Sequence, residues 1–214
     1  KTGTIKGQAC TDGRKQREGP AQADASIPTV SLESVLLTAV VDAHEERDVV
    51  IVDIPNAFVQ TDMDGERVVM KLRGSLAELL IQVAPELYSP FVVMENGKVV
   101  LYVELLKALY GCLRSTLLFY KKLLNDLQAQ GYTLNPYDPC VVNKIINKAI
   151  HTIIWQVYDL KASHVQTIVN DKFVEWVKST YVNDGVGQVK TSRGKVHQYL
   201  GMVLDFTEPG AVRI

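Results

Sequence analysis

The chain has 214 residues, of which 47% are hydrophobic and 22% are charged, as in an ordinary globular protein with at least one substantial domain. Its net charge of −1 offers no basic surplus for neutralising phosphates, which argues against strong independent nucleic-acid binding. No apolar run reaches the ~18–20 residues that a bilayer span needs, and residues 1–10 have no pattern of a signal peptide.

The first half of the chain predicts a polar arm, one helix, one buried strand and a hairpin. Residues 1–24 are polar and partly basic, and a helix follows over 31–47, with Ser31 as its cap. Asp48–Asp53 is a β-branched apolar run between two acids, the pattern of a buried strand. A strand over 66–72 and a helix over Ser75–Val83 come next. Residues 91–94 and 99–103 predict a hairpin around Asn96-Gly97.

The second half predicts two long helices that alternate with β-branched strands. An amphipathic helix over 113–129 precedes strands over 140–146 and 150–157, and a further helix covers 165–181. Short strands are expected over 188–190, 197–206 and 212–214. This order of elements predicts an α+β fold, an antiparallel sheet covered by helices.

Two acids stand where apolar strands end. Asp53 closes the first buried strand, and Asp159 is expected at the end of a second, the strand that begins at Ile150. If these strands are neighbours, the two carboxylates meet at one edge of the sheet, where hard oxygen ligands suit Mg²⁺. Two-metal nucleotidyl transfer needs carboxylates brought together in this way from separate strands.

Six segments in chain order carry a family resemblance. They are Lys6-Gly7 with residues 12–17, Asp53-Ile54-Pro55-Asn56-Ala57-Phe58, Lys107-Ala108-Leu109-Tyr110-Gly111, Asn135-Pro136-Tyr137-Asp138-Pro139-Cys140, residues 152–160, and Tyr199-Leu200-Gly201-Met202. Together they resemble the reverse transcriptases of copia-type (Pseudoviridae-like) retrotransposons. The resemblance implies a polymerase palm with a partial fingers region, without a thumb or an RNase H domain. It divides the single domain into a fingers-like arm and helix, 1–47, and a palm-like part, 48–214.

The resemblance also implies roles for individual residues. Asp53 would be the first metal ligand, Asp159 the second Asp of the family's Val-Asp-Asp turn, and Phe58 the aromatic gate that selects deoxynucleotides. Tyr158 stands where the family has the first Asp of that turn, so a ligand is replaced by a neutral phenol. The turn Tyr199–Met202 would be the primer grip. Phosphate contacts are expected from five basic residues: Lys6, Arg14, Lys15, Arg17 and Arg114.

Three functions follow from these residues. The leading one is a catalytically inactive, domesticated palm that serves as a structural subunit bound to other proteins. The first alternative is an active RNA-directed DNA polymerase, which would use Mg²⁺ as its cofactor. The second is a module that binds RNA or DNA without catalysis. An apolar surface for the partner is expected where a thumb would pack, beyond Met202.

The cysteines bear on the compartment. Cys10, Cys112 and Cys140 are widely spaced and odd in number, which predicts reduced thiols and not a disulfide framework. A reducing intracellular compartment is therefore expected. Location in an organelle is the alternative if a targeting peptide has been removed.

Overall fold

The computed structural model describes residues 10–12, 27–64, 67–181 and 187–214, and these form an α+β fold with antiparallel sheets. The helices are α1 (Leu32–His44), α2 (Ser75–Val83), α3 (Pro85–Tyr88), α4 (Ser115–Ala129) and α5 (Thr167–Tyr181). The strands are β1 (Asp48–Asp53), β2 (Val69–Arg73), β3 (Val92–Glu95), β4 (Lys98–Glu104), β5 (Thr133–Leu134), β6 (Val141–Ile146), β7 (Ala149–Gln156), β8 (Asp159–His164), β9 (Lys190–Ser192), β10 (Val196–Tyr199) and β11 (Met202–Asp205). Short 3-10 helices cover Ala57–Gln60 and Ser89–Phe91.

The main sheet has six strands in the order β5-β6-β7-β8-β1-β9, all antiparallel. Its centre is buried on both faces, because β1 and β8 expose almost no side chain except at their first or last residues. Helices α4 and α5 cover one face, where Phe119 and Phe173 join the largest hydrophobic cluster. Helix α1 and the β10–β11 hairpin cover the other face.

A second sheet, in the order β2-β4-β3, has a small core of its own with α2. Helix α1 shares a core with the six-stranded sheet, and the division at residue 47 into fingers-like and palm-like parts stays a prediction. The structure also places a strand, β8, over residues that the periodicity left unassigned between 157 and 165.

Candidate functional site

The ends of three adjacent strands bring charged residues together. Asp53, the last residue of β1, lies directly opposite Asp159 of β8 and also opposite Lys190 of β9. The expected neighbourhood of Asp53 and Asp159 is therefore what the register shows. The sequence misplaced Asp159 in one respect: it is the first residue of β8, after the turn, and not the end of the preceding strand.

An ammonium group already neutralises part of this carboxylate pair. Lys190 Nζ lies 3.1 Å from Asp53 Oδ2. Burial and the charge of Asp53 raise the pKa of Asp159 above its ordinary value, and Lys190 lowers it. The two carboxylates therefore influence each other electrostatically, and the exposed lysine compensates part of their repulsion.

The turn that precedes Asp159 is tight and strained. Val157 and Tyr158 connect Gln156 to its partner Asp159. Val157 has a φ of 56°, a left-handed conformation that costs an L-residue roughly 1–2 kcal/mol and is rare for a β-branched one. The Ile54 amide donates to the Tyr158 carbonyl at 3.2 Å, which ties the turn to the segment that follows Asp53.

The Tyr158 side chain belongs to an aromatic cluster. Its ring centroid is 6.2 Å from that of Phe58 and 6.5 Å from that of Tyr110. The Phe58 and Tyr110 centroids are 4.5 Å apart, and Phe119 packs behind Phe58 at 6.2 Å. Burial, with smaller contributions from Tyr158 and Asp53, raises the pKa of Tyr110 to about 12. Phe58 is only 6% exposed, so the residue expected to act as a nucleotide gate is mostly covered.

The donors at this edge do not fit a pair of Mg²⁺ ions. Asp53 and Asp159 contribute two carboxylates, one of which is paired with Lys190. Tyr158 offers a phenol where the family resemblance implies a third carboxylate. In the part of the chain that the structure describes, no group of three or more His, Cys, Asp or Glu side chains is placed to hold a metal ion.

The β10–β11 hairpin lies beside the same edge. Its two-residue turn is Leu200-Gly201, with φ values of 51° and 81°. The Tyr199 hydroxyl lies 3.4 Å from the Asp159 carbonyl oxygen and 3.5 Å from that of Ile154. A groove of about 350 Å³ is lined by the hairpin, Asp159 and Ile51. The segment Tyr199–Met202 is therefore close to Asp159, and its role as a primer grip stays a prediction.

The predicted basic contacts are only partly visible. Lys6, Arg14, Lys15 and Arg17 lie outside the described residues. Arg114 immediately precedes α4, is half-buried, and has an Nε with no hydrogen-bond partner among the described residues. Nearby, Thr11 packs so closely on Gly111 that a Cβ there would lie 1.9 Å from the Thr11 carbonyl oxygen. Only glycine fits at that position, where φ is also +88°.

Sequence reasoning missed three residues that shape the site and its surroundings. Lys190 pairs with Asp53 across a strand contact that local patterning cannot show. Tyr110 lay in a recognised motif, but its contact with Phe58 was not foreseen. Asp138 is buried, and its carboxylate accepts hydrogen bonds from the Ser31 amide at 2.9 Å and the Cys140 amide at 2.8 Å.

Comparison with known proteins adds no relative. A scan against protein-family models finds no match, and a search of curated proteins finds none either. Within the ranges that the structure describes, none of the helices has the length and hydrophobicity that a membrane crossing demands.

Proposed function

We propose that this chain is a palm-like domain derived from a copia-type reverse transcriptase, that it no longer transfers nucleotides, and that it acts as a structural subunit bound to other proteins. One observation carries the loss of catalysis. Tyr158 occupies the turn beside the Asp53–Asp159 pair, where two-metal chemistry would need a further carboxylate.

The charge at the edge supports this proposal. Two divalent cations bring four positive charges, and the two carboxylates bring two negative ones, of which Lys190 offsets one. A tyrosine is neutral near pH 7 because its ordinary pKa is about 10. Lys190 already pairs with one of the two carboxylates, and at position 158 a ring packed against Phe58 and Tyr110 stands in place of a third.

Primer extension on an RNA template, with Mg²⁺ or Mn²⁺, tests the loss of catalysis. We expect no template-dependent product from the native chain. The control is Asp53→Ala, which removes the first expected metal ligand. Extension by the native chain that disappears in Asp53→Ala would establish the active polymerase instead. Salt-dependent binding of the template without extension would favour the nucleic-acid-binding module.

Exposed apolar side chains support the contact role. Leu76, Leu79 and Val83 form a stripe on α2, and they are 51%, 53% and 74% exposed. Leu87 and Phe91 extend the apolar surface over the next two short helices, at 60% and 64% exposure. Exposed large apolar side chains concentrated in one segment are typical of protein–protein contact sites.

The position and charge of this surface define the partner. Beyond Met202, where the patch was expected, the large exposed apolar residues are Val203 and Ile214, a smaller set. Residues 75–91 contain Glu78 and Glu86 and no Lys, Arg or His. A partner with an apolar strip flanked by basic residues would complement them, whereas a second copy would place acid against acid.

Size-exclusion chromatography of native extract tests the contact role. We expect elution with a stoichiometric companion, and loss of that companion in Leu79→Glu. Leu37→Glu is the matched control, because Leu37 is 65% exposed on α1, away from the stripe. Elution of the native chain as a free monomer of 23.8 kDa, or equal effects of both variants, would contradict a structural subunit that docks through α2.

A further inference from the structure

A cleft lies at the end of the six-stranded sheet that is remote from Asp53. It has a volume of about 270 Å³ and is bounded by α5, the end of β6 and the loop after α4. Ile146 and Asn147, at the β6–β7 turn, line it. Strand β7 runs from this turn to Gln156, and its eight residues span roughly 25 Å. The cleft is therefore separate from the carboxylate edge.

The floor and side of the cleft are apolar and aromatic. Ile168 and Trp176 lie two turns apart on α5 and, together with Phe173, face into the cleft. The rings of Phe173 and Trp176 are 5.8 Å apart and inclined by 31°; Phe173 is buried behind Trp176, so Trp176 and Ile168 supply most of the accessible apolar surface. Ile168 is 55% exposed, which leaves the cleft accessible from solvent.

The charged residues that line the cleft are lysines only, Lys144 and Lys172. Lys144 is held in place, since its Nζ donates to the Gln130 carbonyl at 2.6 Å and lies 5.5 Å from the centre of the Tyr132 ring. Lys172 is exposed and makes no ion pair with any described residue. No acid neutralises these ammonium groups within the lining, so the cleft favours an anion.

The back wall is fixed by a buried hydrogen-bond chain. Asn170 Nδ2 donates to Asp48, at 2.8 Å to the carbonyl and 2.6 Å to Oδ2. Asn170 Oδ1 must then accept from His151 Nε2–H at 3.0 Å. His151 Nδ1 is left to accept the Tyr132 hydroxyl proton at 2.7 Å. Every donor in this chain has an acceptor, so the Tyr132 ring that lines the cleft is held rigidly.

We propose that this cleft binds a small anion with a flat apolar body, namely one or two fused rings that carry a carboxylate or phosphate group. The rings would lie against Trp176 and Ile168, and the anionic group would face Lys172 and Lys144. The volume is close to the lower end of the range for small-molecule sites, which begins near ~300 Å³. Binding at this cleft does not depend on the proposed palm ancestry.

Isothermal titration calorimetry with 2-naphthoate tests the proposal. The neutral 2-naphthamide and the cationic 2-naphthylmethylamine have the same ring system without the negative charge. We expect 2-naphthoate to bind roughly tenfold more tightly than the cation. Lys172→Met should weaken 2-naphthoate binding about 2–5-fold, the usual effect of a solvent-accessible ion pair.

Lys178→Met is the matched control, because it removes the same charge from the last turn of α5, outside the cleft lining. Its affinity for 2-naphthoate should equal that of the native chain. Three results would overturn the proposal: no binding of 2-naphthoate at millimolar concentration, equal affinity for the anion and the cation, or equal weakening by Lys172→Met and Lys178→Met.

Discussion

The proton affinity of Asp159 reflects two neighbours with opposite effects. Asp53 raises its pKa and Lys190 lowers it, on top of the larger effect of burial. Both neighbours are strand partners at the same sheet edge: Asp53 pairs with Asp159 and with Lys190. Asp53 and Lys190 can each be replaced by a neutral residue, so their opposite effects on the pKa of Asp159 can be measured separately.

We expect Asp53→Asn to lower the pKa of Asp159 and Lys190→Met to raise it. The reason is electrostatic: the first variant removes a like charge and the second removes an opposite one. Carboxyl ¹³C chemical shifts followed through a pH titration provide the measurement. Asp171→Asn is the control, because Asp171 lies on α5, where its partner is Arg193, and it should leave the Asp159 titration unchanged. If Asp53→Asn and Lys190→Met shifted the pKa of Asp159 in the same direction, the arrangement of the three charged residues at this sheet edge would be contradicted.

At the scale of the elements, a neutral His151 imidazole on β7 is hydrogen-bonded to Asn170 on α5. Its ring is fully buried, and burial lowers its pKa from 6.5 to about 4. In the unfolded chain the same imidazole would take up a proton near its ordinary pKa. Between those two values the unfolded state binds more protons than the folded state, so stability rises with pH across this window.

We therefore expect the free energy of unfolding to fall as the pH drops from 6.5 towards 4, by on the order of 3 kcal/mol from His151. Urea unfolding at several pH values measures it. His151→Gln should flatten the pH dependence of the free energy of unfolding. Part of the slope that remains should come from His197, because burial lowers its pKa as well. His44→Gln alters an exposed histidine at the end of α1 and should keep the native slope. An unchanged slope in His151→Gln would contradict the neutral buried imidazole.

Local patterning predicted several elements well. Strand β1 has the predicted bounds, α2 begins and ends as its sequence indicated, and the hairpin of β3 and β4 turns at Asn96-Gly97. Each of these is decided by residues close in sequence: acids beside an apolar run, a proline two residues past the helix, and a turn dipeptide. Strand β8 was missed because Lys161, Ser163 and His164 are polar but buried, which hides its apolar periodicity.

The candidate site was predictable only where a motif named its members. Asp53 and Asp159 were identified before their pairing was seen, because each follows an apolar strand. Lys190 was not, because β9 has three exposed residues and its position beside β1 depends on the whole sheet order. The covering of Phe58 by Tyr110 likewise depends on a tertiary contact that the sequence cannot express.

At the scale of the whole molecule, a buried ion pair joins α1 to the sheet. Lys161 of β8 donates to Asp42 of α1, and the two side chains are 1% and 0% exposed. Arg47 approaches the other Asp42 oxygen at 3.8 Å. This arrangement fixes α1 against the face of the sheet opposite to α4 and α5.

We expect Lys161→Met and Asp42→Leu, taken singly, to destabilise the fold by about 3–5 kcal/mol, because each leaves a buried charge without its main partner. The double variant should cost clearly less than the sum, since it leaves neither charge behind. Urea unfolding of the two single variants and the double variant measures this coupling. Strict additivity would show that the pair does not interact in solution.

In the proposed palm, Tyr158 replaces the carboxylate that would complete the Asp53–Asp159 pair. The most direct test is Mn²⁺ binding, followed by water-proton relaxation, in the native chain and in Tyr158→Asp. We expect weak binding by the native chain and an affinity roughly tenfold or more higher in Tyr158→Asp, because a third negative charge then faces the ion. Tyr158→Asn introduces a side chain with the shape of aspartate but no charge, and it should show no gain in Mn²⁺ affinity. Adding Asp53→Ala to Tyr158→Asp should remove the gain. No gain in Tyr158→Asp, or a gain that survives Asp53→Ala, would show that position 158 is not a lost metal ligand.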